Sequence, residues 1–216
     1  DCMSVSLRKG QSVSLKKNEF DLSSVTIGLG WDISEEKKGF LGGIFGKKTE
    51  DEYDLDVIAF LCNAEGKVVD LGQIEDGRPT LDNGDVIFFN NQRHHSGQIW
   101  LTGDNRTGAG DGDDEQIIAN LNTLDAKYEK IVFIVQIYNG QEQQQHFGKV
   151  KNAFIRAVDA KNVEMARFDL SGGPAFNQQC SMVFAELVRE GTGWKLCAIG
   201  EPSDSDSFIT HLKSYL

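Results

Sequence analysis

The chain has 216 residues, with 33 acidic against 22 basic side chains and a formal charge of −11. That balance excludes a nucleic-acid binder built on a basic stripe, which has to displace phosphate counterions. The length suits one large domain or two small ones and allows roughly 70–75% of the unfolded chain's surface to be buried. Three prolines and 39% hydrophobic residues argue against a disordered or linker-rich chain, and the 23 glycines do the turning. No apolar run approaches the roughly 20 residues of a membrane helix. Asp1 to Val5 lacks the charged and apolar regions of a secretory leader, so Met3 reads as the natural start, with Asp1 and Cys2 added ahead of it. Cys62, Cys180 and Cys197 are odd in number, lack CxxC spacing and sit in apolar runs. They read as buried free thiols of a reducing, cytoplasmic compartment.

In chain order, short apolar or alternating runs occupy Val25 to Trp31, Leu55 to Cys62, Val86 to Phe89, Ile99 to Thr102, Ile131 to Tyr138, Ala153 to Val158, Met182 to Val188 and Trp194 to Ile199. Turn signals such as Asp82-Asn83-Gly84-Asp85 and Glu190-Gly191-Thr192-Gly193 separate them. Many strands with few helices between them predict an all-β fold, an antiparallel β-sandwich of two sheets. One helix is expected, at the C-terminus. Asp206 or Ser207 caps it, and Phe208, Ile209, Leu212 and Leu216 form the face that docks on the sandwich. With no repeat and no break in composition, residues 1–216 read as a single domain.

Residues 34–53 differ in kind. Gly39-Phe40-Leu41-Gly42-Gly43-Ile44-Phe45-Gly46 lies between Lys37-Lys38 and Lys47-Lys48, and its glycines disfavour a helix. It reads as an inserted flexible connection, or as a contact loop for a partner or an anionic membrane surface. The acidic residues are also unevenly spread. Thr102 to Glu115 holds five acids and one base, and Asp51 to Asp56 holds four acids and no base, so two short segments carry −8 of the −11. Such segments repel themselves unless a cation or solvent relieves them.

The longer segment has glycines at 103, 108, 110 and 112 that let the backbone turn tightly, and Asp104, Asn105, Asp111, Asp113, Asp114 and Glu115 as hard oxygen donors. Ca²⁺ takes about six to eight such oxygens, whereas Mg²⁺ usually shares a phosphate. An EF-hand register fails: with Asp104 at position 1, Glu115 falls at 12 but Arg106 and Gly108 fall at 3 and 5. A calcium loop of another type and a solvated acidic turn both remain open on composition.

Val5-Ser6-Leu7-Arg8-Lys9-Gly10-Gln11, Gly28-Leu29-Gly30-Trp31-Asp32, Asp54-Leu55-Asp56, Phe88-Phe89-Asn90-Asn91, the Thr102 to Glu115 loop, Asn152-Ala153-Phe154-Ile155-Arg156 and Ala166-Arg167-Phe168-Asp169-Leu170 together resemble the tellurium-resistance TerD family of bacterial stress proteins. The resemblance runs from about Met3 to Gly200, and its glycine- and aspartate-rich loop is highly specific. It implies a cytoplasmic β-sandwich that binds two or more Ca²⁺ ions and acts in resistance to tellurite and other insults. It assigns Asp104, Asn105, Gly108, Asp111, Gly112, Asp114 and Glu115 to the metal, with Asp56, Asn90 and Asp32 as partners from neighbouring strands. The implied partners are other proteins of the tellurite-resistance and stress system, met in the cytoplasm or at the inner face of the membrane. The long 34–53 connection, and an acidic turn and helix over 201–216, depart from the family's shortest members.

Catalysis finds little support. His94, His95, His146 and His211 show no metal-ligand spacing to a second His, Asp or Cys set, and His94-His95 before Ser96-Gly97 reads as a turn. A metal-dependent hydrolase using the loop carboxylates, or a carbohydrate-binding sandwich using Trp31, Trp100 and Trp194, are the alternatives to a calcium-ordered module that presents a surface to partners.

Overall fold

The computed structural model describes residues 4–33, 53–102, 113–170 and 174–216. In chain order the strands are β1 (Val5–Leu7), β2 (Ser12–Leu15), β3 (Val25–Ile33), β4 (Leu55–Cys62), β5 (Ile74–Glu75), β6 (Arg78–Pro79), β7 (Val86–Ile87), β8 (Ile99–Thr102), β9 (Glu115–Ala119), β10 (Lys130–Ile137), β11 (Val150–Val158), β12 (Glu164–Leu170), β13 (Ser181–Glu190) and β14 (Gly193–Ser203), followed by helix α1 (Phe208–Leu212). All eight predicted runs supply strands, although Val86–Ile87 stops short because Phe88 to Asn91 closes into a tight turn.

The strands form two six-membered sheets, ordered β1-β12-β11-β3-β9-β8 and β2-β14-β13-β10-β4-β7, with β5 and β6 as a separate hairpin. Pairing is antiparallel except at one edge, where β1 runs parallel to β12. Side chains from both sheets, among them Leu29, Trp31, Leu55, Phe133, Ile155 and Phe184, meet in one core.

β4 and β10 are apolar at nearly every position because both of their faces are covered. Leu55, Val57, Ala59 and Leu61 face the main core, while Ile58, Phe60 and Cys62 face a second cluster with Val132, Ile134, Phe208 and Leu212. Ser207 caps α1 by accepting the Ile209 N–H, as expected. The docking face is different from the predicted one: Phe208, Leu212 and Tyr215 pack on the sheet, while Ile209 and Leu216 are exposed. The α-helix lasts five residues before a 3₁₀ turn over Lys213–Tyr215. The tighter winding brings Tyr215, rather than Leu216, onto the edge of the Phe60 ring.

The sandwich has two poles. The first gathers the end of β3, the start of β4, the start of β9 and the end of β10. The opposite pole gathers the end of β4, the start of β7, the start of β8 and the start of β10.

Candidate metal centre

At the first pole the chain emerges from the acidic loop at Asp114 and Glu115, which are 8% and 4% exposed. Asp114 Oδ2 accepts the Trp31 N–H at 2.9 Å, and the Asp114 N–H donates to Leu29 O at 2.8 Å, just ahead of the first residue of β9. Glu115 reaches across the sandwich, where its Oε2 accepts the Val57 N–H of β4 at 2.8 Å. Two adjacent buried carboxylates are thus fixed by backbone donors from different sheets. Their oxygens are of the hard type that Ca²⁺ takes, and β9 holds them at the exit of the acidic loop.

Asp113, counted among the oxygen donors on composition, is otherwise engaged. Its side chain is 2% exposed and accepts from Arg156 Nε at 2.8 Å, from Arg156 Nη2 at 3.1 Å and from Gln116 Nε2 at 3.0 Å. Arg156, Gly28 and Gln116 form one cross-strand row on the outer face of their sheet. Asp113 lies over the glycine in the middle, where an added Cβ would come within 2.3 Å of its carboxylate. The bidentate contact, above all, raises the Arg156 guanidinium pKa further above its ordinary value.

Of the remaining predicted ligands, the described ones, Asp32, Asp56 and Asn90, lie on different elements. Asp32 is exposed after the buried Trp31, and its Oδ2 accepts from Asn152 Nδ2 at 2.7 Å. Asp56 sits between the core residues Leu55 and Val57, so strand alternation points it out of the other sheet, where it accepts from Gln136 Nε2 at 3.1 Å. Alternation thus turns Asp32 and Asp56 toward the outer faces of different sheets. Asn90 is exposed in the turn after β7, which runs toward the Asp56 end of β4. Asp104, Asn105, Gly108, Asp111 and Gly112 lie outside the described residues, as does the Phe40 to Phe45 segment.

Sequence reasoning missed a second cluster, at the opposite pole. The buried Asp85, just before β7, meets the buried His94, with Asp85 Oδ1 2.8 Å from His94 Nε2. Because the Ser96 N–H donates to His94 Nδ1, the ring proton sits on Nε2 and is given to Asp85. Tyr128 OH donates to the same Asp85 oxygen at 2.6 Å. Burial pushes the Asp85 carboxyl up, but the hydrogen bonds from His94 and Tyr128 outweigh it and leave its pKa lowered. Burial first, then the bond to Asp85, raises that of Tyr128. His95 stacks on His94 with ring centroids 4.0 Å apart. The sequence signal was the His94-His95 pair combined with Asp82-Asn83-Gly84-Asp85, two turns that only the fold brings together.

Trp31 and Trp194 are buried, and Trp100 lies under the Arg93 guanidinium at 4.8 Å. The two buried rings are therefore core residues rather than a sugar platform. The three described cysteines are free, and burial raises their pKa values, that of Cys62 to about 12. No helix among the described residues is long and apolar enough to cross a membrane.

Comparison with known proteins places this chain in a family. Residues 3–213 match the TerD domain. The chain is 81% identical to tellurium resistance protein TerX of Serratia marcescens, over 99% of this chain and all of that one. It is 36% identical to stress response protein SCP2 of Bacillus subtilis, again over 99% of this chain and all of the relative. The crystal structure of a Streptomyces coelicolor homologue of telluride resistance protein TerD has the same fold, with a TM-score of 0.59 at 21% identity over 90% of this chain and 98% of that one. The chain belongs to the TerD family of tellurium-resistance and stress proteins.

Proposed function

We propose that this protein is a calcium-binding module of the tellurite and stress response, in which Ca²⁺ orders the acidic loops and thereby shapes a surface for partner proteins. One observation carries the reading: Asp114 and Glu115 are buried side by side at the exit of the acidic loop, each held by a backbone N–H from a different sheet. Burying two carboxylates beside a strongly acidic loop is costly unless positive charge is close. The Arg156 guanidinium is engaged by Asp113, and Asp114 and Glu115 set hard oxygen donors of the kind Ca²⁺ takes at the exit of that loop. Ions of charge +2 would offset much of the −8 in the two acidic segments. The module acts by binding, not by turnover, and the buried, high-pKa thiols of Cys62 and Cys180 are poor reductants for an oxyanion.

Thermal melts in calcium, magnesium and chelator test this. A ligand that binds only the folded state adds about 2.7 kcal/mol at 100 times its dissociation constant. Calcium should raise the midpoint more than magnesium does, and Asp114→Asn with Glu115→Gln should remove that difference. Equal midpoints in all three conditions would sink the calcium reading. Partner recovery from tellurite-stressed cells should depend on calcium and be lost with the same double substitution.

A further inference from the structure

We propose that the pole opposite the acidic loops holds a transition-metal site of the zinc class, with His94 Nε2, His95 Nε2, Asp85 Oδ1 and Asp70 Oδ2 as the four donors. His94, His95 and Asp85 offer ligand atoms that all lie within 4.8 Å of one another. His94 Nε2 is 2.8 Å from Asp85 Oδ1, and His95 Nε2 is 3.9 Å from it and 3.8 Å from Asp70 Oδ2. Bonds of about 2.0–2.2 Å in a tetrahedron put ligand atoms roughly 3.3–3.6 Å apart. The three donors His94, His95 and Asp85 need relative movements on the order of 1 Å to close around an ion, and Asp70, placed 3.8 Å from His95, is the outlying fourth that moves in with it. Two imidazoles with carboxylates favour zinc, cobalt or nickel over calcium, which takes oxygen alone.

The backbone is built to bring these groups together. An added Cβ on Gly84 would lie 2.6 Å from Gly72 N and 2.7 Å from Asp70 O, so only glycine lets the segment before β7 pack against residues 70–72. Gly72 itself has φ +80, a conformation that L side chains rarely adopt. Across this contact the Asp85 N–H donates to Asp70 O at 2.8 Å. The Gly72 N–H then takes Asp70 Oδ1 at 2.9 Å, which turns Oδ2 toward His95. Outer partners are also in place: Tyr128 OH steadies Asp85, and Ser96 Oγ lies 2.7 Å from His94 Nδ1. When His94 Nε2 binds a metal, its ring proton moves to Nδ1, where the Ser96 hydroxyl accepts it in place of the Ser96 N–H contact, and the Nε2–H bond to Asp85 is exchanged for the ion.

A purely structural hydrogen-bond trio would need only Asp85, His94 and Tyr128. It does not account for His95 Nε2 and Asp70 Oδ2, which lie 3.8 Å apart on side chains 43% and 49% exposed, with His95 Nε2 3.9 Å from Asp85 Oδ1, distances too long for hydrogen bonds. Those two residues form the open side through which an ion enters, and they also separate the two readings.

The test uses the full chain without a histidine tag, stripped of metal and held in excess calcium, so that it does not depend on the calcium reading. Titration with Co²⁺ should give the visible bands of a low-coordinate ion at one equivalent, and Zn²⁺ should displace it. His95→Ala should weaken Co²⁺ binding by more than the roughly 10–100-fold that loss of an outer-shell partner costs. Its metal-free melting point should match the parent's, because the Asp85–His94–Tyr128 trio stays intact. Asp70→Asn should weaken binding in the same direction, and Asp114→Asn should leave it unchanged. Absence of Co²⁺ and Zn²⁺ binding in the parent chain, or equal affinity in His95→Ala, would overturn the proposal.

Discussion

Replacing Arg156 by methionine keeps much of the side chain's length and removes its charge from Asp113. The Asp113 carboxylate then loses two charge-assisted hydrogen bonds and keeps only the one from Gln116. Breaking one partner out of a fully buried pair costs about 3–5 kcal/mol. The Arg156 side chain is 32% exposed, so water can enter as it leaves, and we discount the loss to about 2–3 kcal/mol. For a chain of this length each kcal/mol moves the melting point by roughly 2–4 °C, which gives a fall of about 4–12 °C. A double-mutant cycle with Asp113→Asn isolates the pair. Once Arg156 is gone, neutralising Asp113 removes the stranded charge and should be neutral or stabilising. Because Arg156 also lies 3.6 Å from Glu164, Glu164→Gln serves as the control and should cost under about 1 kcal/mol. A fall below 2 °C in the Arg156 variant, or additive effects around the cycle, would refute the assignment of Asp113 to Arg156.

Other outcomes follow from the same geometry. Gly28→Ala drives a Cβ into the Asp113 carboxylate and should cost about as much as losing Arg156, at roughly 2–3 kcal/mol in chemical denaturation. Phe208→Ala empties a site between the Phe60 and Phe88 rings and should cost about 3–5 kcal/mol, with faster hydrogen exchange in α1; a loss under 1 kcal/mol would mean that α1 is not anchored by this ring. Burial lowers the His211 pKa from the ordinary 6.5, so above that pH folded and unfolded chains are both neutral there. As pH falls below 6.5 the unfolded chain takes up a proton that the folded chain resists, so stability drops toward the folded-state pKa, and His211→Asn should flatten this part of the stability profile. Cys62, pushed up to about 12 by burial, should resist alkylation in the native protein at pH 8 and react once denaturant is added, as read by peptide mass mapping.

Much of the framework could be read directly from the chain. The apolar runs of β3, β4, β10, β13 and β14 specify strands because alternation and branched side chains suit a pleated surface with a buried face. Ser207 marks its helix because a hydroxyl there can satisfy a first-turn N–H. The concentration of charge between Thr102 and Glu115 marks a pole worth attention, since local repulsion is a property of sequence neighbours.

What tertiary structure alone decided concerns residues far apart in sequence. Asp113 and Asp114 are adjacent and chemically identical, yet one is held by Arg156, 43 residues on, and the other by the backbone of Trp31, 83 residues before. Which face of the sheet each carboxylate meets depends on strand register, and composition carries no record of it. The same holds for Asp70, Asp85, His94, His95 and Tyr128, which span four loops. Their convergence depends on two glycine backbones packing where no side chain fits. Local patterns fix what each segment becomes, because they act through neighbours on one strand or one helical turn. Pairing between distant segments fixes which charges meet, because in a sandwich those contacts form only when the sheets close on each other.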